Sequence, residues 1–252
     1  MFFKKNMFLN EKYISYIIMK RNELISYLEK VKTIGQSEYQ KIAELFKDAV
    51  MEDIGEIWEK HKHNILMELE KIKLCTKDST INSSTAIGYI LEEFIIKQLP
   101  PEYGRFVGST TIAAADFFWK DKSKIELYVN FKADKGGKGN NAVCAANKLI
   151  NLYSQNKKPK LMLIFKSVYT INEEKSLINI EEIRSVFLES FLFEYKKKVN
   201  KDNRNWSKEF NPASGRLQVP PHQSNASIKN IPNPDEVNKF ITEELPELLK
   251  SG

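Results

Sequence analysis

Asp116–Lys132, DFFWKDKSKIELYVNFK, consists of two apolar runs, DFFW and IELYVNFK, divided by the polar KDKSK. Aromatic and β-branched residues fill both runs, so the segment reads as two strands joined by a turn. If the turn centres on Lys122, Asp116 lies across from Tyr128, and Asn130 and Lys132 continue the same face. The hairpin then gathers an acid, an amide oxygen and an ammonium on one patch. A slip of one residue would scatter them between the two faces.

Outward from the hairpin, the chain alternates between helical and strand-like periods. Upstream, an amphipathic helix is expected from about Thr85 to Leu99, stopped by Pro100 and Pro101. Glu92 stands four residues after Gly88, a spacing that lets its side chain project over the glycine toward the sheet. Glu93 is turned about 100° away, toward solvent. RFVGSTTIA, ahead of Asp116, is strand-like. Downstream, the glycine-rich GGKGNN leads into a helix expected over Ala142–Gln155. LMLIFKSVY is a near-continuous apolar strand of the kind buried on both faces. A further helix is expected from about Ile180 to Lys198, then a polar stretch with one short strand, and a closing helix over Asp235–Lys250. The fold class is therefore α/β, a central mixed sheet with helices on both faces.

Residues 1 to about 74 are helical in pattern. Ser37 is the expected N-cap of a long run in which Ile42, Leu45, Phe46, Val50, Ile54, Ile57, Trp58, Ile65, Leu66, Leu69 and Ile72 recur at three- and four-residue steps. His61 and His63 point in different directions on such a helix, which favours structural or surface roles over a metal pair. The chain thus divides into an N-terminal helical region, 1–80, for packing or dimerisation, and a core, 81–252.

The 252 residues carry a net charge of +6 and a pI near 9.0, a balance that favours a polyanionic partner. No apolar run approaches the ~18 residues of a membrane span, and the opening MFFKKNMFLNEKYISYIIMKR lacks the cleavage site of a signal peptide. Cys75 and Cys144 stand in unrelated contexts, as reduced thiols of a cytoplasmic protein would. No GK[ST] or GxGxxG pattern supports a nucleotide cradle.

The patch on the hairpin has a coherent task. Hydrolysis of a phosphodiester needs a cation to polarise the phosphate, an activated water and neutralisation of developing charge. Mg²⁺ prefers hard oxygen ligands and retains waters, so one carboxylate and one carbonyl can suffice. Asp116 is the expected principal metal ligand and Asn130 the second, with Lys132 orienting the water and offsetting phosphate charge. The plain alternative is that Asp116 begins one strand, Lys132 ends another, and both are merely solvated.

Three pieces, GYILEEF, AAADFFW and ELYVNFKAD, resemble the PD-(D/E)xK nuclease superfamily and, within it, type II restriction endonucleases. ELYVNFKA and the later NPASGRLQ look most like SwaI-type enzymes, which cut AT-rich sites. The resemblance covers about Ser84–Gln223. It implies a restriction-endonuclease-like core, Mg²⁺ at Asp116 and position 130, catalysis by these with Lys132, and support from Glu92. It also implies a homodimer acting on palindromic double-stranded DNA. The chain departs from the pattern where Ala115 replaces Pro and where Asn130 replaces an acid. The amide removes one negative charge from the metal site, although MspI-type enzymes also carry Asn there.

Two further segments suit DNA. Lys135, Lys138, Asn140 and Asn141 lie in or beside the glycine-rich loop, where the backbone and ammonium groups can approach phosphates. Arg204, Lys208, Arg216, Gln218 and Gln223 populate a segment held by Pro212, Pro220 and Pro221, and residues of these types read base edges. Simple loops are the alternative for both. Two other function classes fit the sequence. One is a non-catalytic DNA-binding protein on the same scaffold; the other is a partner-binding protein whose long N-terminal helix is the working part.

Overall fold

The computed structural model describes residues 20–61, 84–106, 114–136, 141–172, 177–190, 216–219, 231 and 233–250. Two helices open this set, α1 (residues 20–30) and α2 (Gln36–His61). They are followed by α3 (Ser84–Gln98) and the strands β1 (Tyr103–Arg105), β2 (Phe117–Trp119) and β3 (Glu126–Lys135). Next come β4 (Asn141–Ala145), α4 (Ala146–Ser154), β5 (Lys160–Asn172), β6 (Leu177–Phe187) and β7 (Arg216–Val219). A final helical segment joins α5 (Pro234–Lys239), a π-helical turn over Phe240–Glu244 and α6 (Leu245–Lys250).

Five strands form one sheet in the order β1-β2-β3-β5-β6, and β4 pairs with β7 in a separate ribbon. β3 and β5 run parallel while the other neighbours are antiparallel, so the sheet is mixed. The parallel pair requires a crossover, which β4 and α4 supply. Alternation along β3 divides the core in two. Leu127, Val129 and Phe131 join Leu161, Leu163 and Phe165 beneath α1, α2 and α3. Tyr128 joins Met162, Ile164 and Val186 beneath α4 and the final helical segment, through Leu149, Leu152, Phe240 and Ile241. Helices therefore cover both faces, as expected. β5 is the buried strand its composition predicts: Leu161 to Phe165 are all buried.

Several local readings change. β6 occupies residues expected to begin a helix at Ile180, because IEEIRSVF pairs antiparallel along β5 and tertiary pairing outweighs its helical spacing. Helix appears only at 188–190, and 191–198 lie outside the described residues. The helix expected from Ala142 starts at Ala146, since Asn141–Ala145 pair with β7 first. At the start of α2, Glu38 rather than Ser37 does the capping: its Oε2 accepts the Gly35 N–H at 3.1 Å, half of a capping box. The helix is described as far as His61, whose ring meets Phe94 edge-on at 5.3 Å, a packing role; His63 lies outside the described residues.

α1 and α2 belong to the sheet's own core rather than standing apart. Arg21 on α1 pairs with Asp53 on α2 at 2.7 Å, and the Tyr103 hydroxyl of β1 donates to the same carboxylate at 2.8 Å. Lys124, in the hairpin turn, donates to the Leu28 carbonyl at 2.7 Å and to Glu29 at 3.2 Å. It thereby satisfies carbonyls that end α1. Among the described residues no helix is long and apolar enough to cross a membrane.

Candidate active site at the carboxyl end of the parallel strands

The hairpin register is offset by two residues from the expected one. Phe117 pairs with Val129 and Phe118 with Tyr128, which carries Asp116 opposite Asn130 rather than Tyr128. The pairing centres the hairpin on Ser123, one residue later than expected, and Asp121 Oδ1 accepts the Ser123 N–H at 2.9 Å in an Asx turn within the loop. Lys122 folds back over the Phe118 ring, 4.1 Å from its centroid. A shift of two preserves the face, so Asp116, Asn130 and Lys132 remain together.

Asp116 stands immediately before β2. Its N–H donates to the Val129 carbonyl at 2.8 Å, and its Oδ2 accepts the Phe131 N–H at 2.7 Å. The carboxylate is thus clamped to the backbone of β3. Lys132 Nζ lies 3.6 Å from Asp116 Oδ2 and 4.0 Å from Glu92 Oε2. Asn130 is buried, and its Nδ2 donates to the Ala114 carbonyl at 3.2 Å, which orients the amide.

Glu92 reaches this patch because α3 crosses β3 closely. A methyl group at Gly88 would come within 3.0 Å of the Ala133 carbonyl oxygen, so only glycine admits that approach. One turn later, Glu92 Oε1 accepts the Ala133 N–H at 2.9 Å. Burial pushes the Glu92 carboxyl up to about 7, with Lys132 and the Ala133 N–H opposing the rise and Asp116 adding to it. Glu93 is exposed and pairs with Lys97 along the helix at 3.7 Å, as its orientation predicts.

Four of the expected catalytic residues therefore gather at one place, the end of the parallel pair β3–β5 toward which both strands run. Carboxyl ends of parallel strands are where open α/β sheets bind ligands. Along this face Tyr128, Met162 and Ile164 are covered by α4 and the final helical segment, and the polar set begins where that apolar cover ends.

Glu126 and Asp134, which share the face of Asn130, are engaged elsewhere. Glu126 accepts from the Tyr128 hydroxyl at 2.8 Å and from Asn156 at 3.0 Å, and Asp134 pairs with Lys166 at 2.5 Å. Lys166 and Arg184 were not foreseen. They lie beside Lys132 in register on β5 and β6, making a row of cations across three strands. Arg184 is held by Glu182 at 2.5 Å. The interruption of the apolar run at Lys166 was the available signal for the first; Arg184 was concealed by the helical reading of β6.

Of the DNA-contact candidates, Lys135 is exposed at the end of β3, next to Gly136, whose φ of +74° turns the chain out of the strand. Asn141, Arg216 and Gln218 fall in the β4–β7 ribbon, where Ala145 pairs with Arg216 and Ala142 with Gln218. Lys138, Asn140, Arg204, Lys208, Gln223 and Cys75 lie outside the described residues. Cys144 is a buried free thiol near the site; burial pushes it up to about 12, with Lys132 and Lys148 opposing and Asp116 adding to the rise.

The donor set is hard oxygen, two carboxylates and a buried amide, which suits a small divalent cation completed by waters. Among the described residues no three His, Cys, Asp or Glu side chains cluster as metal ligands, so a cation here would depend on the amide and on water. No protein-family model matches the chain, and no curated protein matches it.

Proposed function

We propose that the chain is a Mg²⁺-dependent type II restriction endonuclease, hydrolysing phosphodiester bonds of double-stranded DNA at a specific, AT-rich palindromic site. The observation that carries this reading is the convergence of Asp116, Lys132 and Glu92 around one ammonium, with Asn130 on the same face, at the carboxyl end of β3. Asp116 and Asn130 would hold the Mg²⁺. When bound, the ion polarises the phosphate and makes a coordinated water more acidic.

The remaining chemistry belongs to the side chains. Hydrolysis forms a bond between water oxygen and phosphorus and breaks the bond to the leaving oxygen, which takes up a proton. Negative charge grows on the phosphoryl oxygens in between. Lys132 carries three N–H donors. Asp116 and Glu92 hold the ammonium in place, where it orients the attacking water and opposes that growing charge. Glu92 itself is anchored by the Ala133 N–H, and acts by positioning Lys132. The chain works as a cytoplasmic homodimer, each subunit cutting one strand, which matches the two-fold symmetry of a palindrome.

The test is incubation of the purified protein with long, unmodified DNA and Mg²⁺, which yields discrete fragments that Lys132→Ala abolishes. Absence of cutting in both Mg²⁺ and Mn²⁺ contradicts the proposal. A second reading, a non-catalytic DNA-binding protein on the same scaffold, is favoured by one observation: Asn130 brings no charge and spends its amide nitrogen on Ala114. Asn130→Asp separates them, since a gain of cleavage from nothing indicates lost chemistry, and a loss of existing cleavage indicates a native amide ligand.

A further inference from the structure

A cavity of about 500 Å³ opens between the end of α3 and the edge strand β1, lined by Ile96, Leu99, Lys97, Arg105 and Lys120 among others, with no acidic residue in its wall. Its three cations are exposed. Lys97 meets Glu93 at 3.7 Å, while Arg105 and Lys120 make no ion pair among the described residues. Three cations and no acid in one concavity attract an anion, and the apolar wall accepts an organic group beside it.

The cavity is tied to the candidate active site by register. Arg105 pairs with Phe117, one residue from Asp116, and the Phe106 N–H donates to the Asp116 carbonyl at 3.2 Å. With strands about 4.8 Å apart, the backbones at Arg105 and Asp116 are separated by roughly 6 Å. From there Lys120 lies at the far end of the short β1–β2 pair, its N–H donating to the Glu102 carbonyl at 2.8 Å. Arg105 shares the Phe117 face, opposite to Asp116, so these cations meet a duplex round the β1 edge of the sheet. One strand of a duplex presents a phosphate about every 3.4 Å of helix axis, and cations spaced along that edge follow several of them.

We infer that this cavity is a phosphoryl-binding site, in which Arg105, Lys120 and Lys97 hold the backbone of the cleaved DNA beyond the scissile bond. The inference rests on the nuclease reading. The phosphoryl group belongs to the duplex or, as the other source of the same chemistry, to a free nucleotide. Arg105 and Lys120 are positioning residues, since they lie outside the reacting set.

The experiment measures affinity of the full chain for long duplex DNA without divalent cations over a range of salt, for wild type and for Arg105→Ala/Lys120→Ala. Arg105→Lys/Lys120→Arg controls for charge, and thermal melts confirm folding. The double alanine variant is expected to lose about tenfold or more in affinity and to lower the salt slope by about 2, while the charge-retaining variant preserves both. A parallel titration with deoxyadenosine monophosphate separates the sources: nucleotide binding lost in the alanine variant with an unchanged duplex slope assigns the cavity to free phosphate esters and overturns the duplex assignment. A wild type with no salt-dependent duplex binding contradicts the nuclease reading itself. Duplex affinity and slope unaltered in the alanine variant, with no nucleotide binding by the wild type, overturn the cavity alone.

Discussion

Asp116 Oδ2 accepts the N–H of Phe131 at 2.7 Å, so the acid just before β2 is fastened to the strand that carries Lys132. The same oxygen lies 3.6 Å from Lys132 Nζ. Strand geometry alone sets this pair, because Phe131 and Lys132 are consecutive: the first offers its backbone and the second its side chain.

Replacing Asp116 with Asn therefore tests charge with little change of shape. The amide can still face Phe131 through its oxygen, so folding is retained, while the anion beside Lys132 is lost. DNA cleavage should fall by about 100-fold or more, with the thermal midpoint moving only a few degrees. Cleavage rates and a melting curve on the same preparation check both halves.

Gly88→Ala examines the route by which Glu92 enters the site. The new methyl meets backbone at 3.0 Å, the Ala133 carbonyl, which cannot rotate away. α3 must move off β3, carrying Glu92 from the Ala133 N–H and from Lys132. We expect a stability loss of about 1–2 kcal/mol and a cleavage loss of about tenfold or more. Unchanged cleavage in a folded variant would show that Glu92 has no positioning role.

Asn130→Asp also has a structural consequence. A buried carboxylate would face the Ala114 carbonyl in place of an N–H donor. Stability without metal should drop by about 2 kcal/mol, a thermal shift of about 6 °C for a chain this size. Added Mg²⁺ should recover part of it, because the ion neutralises the new charge.

Stability should also depend on pH through Glu189. Burial pushes this carboxyl up to about 7, although the Tyr153 hydroxyl and the Met162 N–H both donate to it. Below the ordinary value of 4.5 it is protonated in both states. Between there and about 7 the unfolded chain ionises while the folded one keeps its proton. This contribution is therefore intact in acid and is lost as pH rises through the window, by about 3 kcal/mol in total. Glu189→Gln should make the profile of denaturant midpoints less steep between those limits, the remaining slope including that of Glu92.

Much of this was legible in the sequence because period-two alternation survives a register error. The hairpin centres one residue later than its composition suggests, yet Asp116, Asn130 and Lys132 share a face. Gly88 and Glu92 were legible for a similar reason, since four residues make about one helical turn whatever the helix ends do. Ile180–Phe187 was not, because its apolar spacing suits a helix and only pairing with β5 makes it a strand. Arg184 was lost with it. The place of Lys166 beside Lys132 and the cationic cavity at β1 depend on which strands are neighbours, which local pattern does not encode.

Digestion of long, unmodified DNA by wild type and Lys132→Ala, with Mg²⁺ and with the metal chelated, decides whether the Asp116–Lys132 site cuts DNA. Wild type is expected to give discrete fragments with Mg²⁺ alone and none after chelation, and a folded Lys132→Ala protein that still binds the DNA is expected to give none. Fragments from Lys132→Ala at the wild-type rate, or cutting that persists in chelator, would contradict Mg²⁺-dependent cleavage by that site.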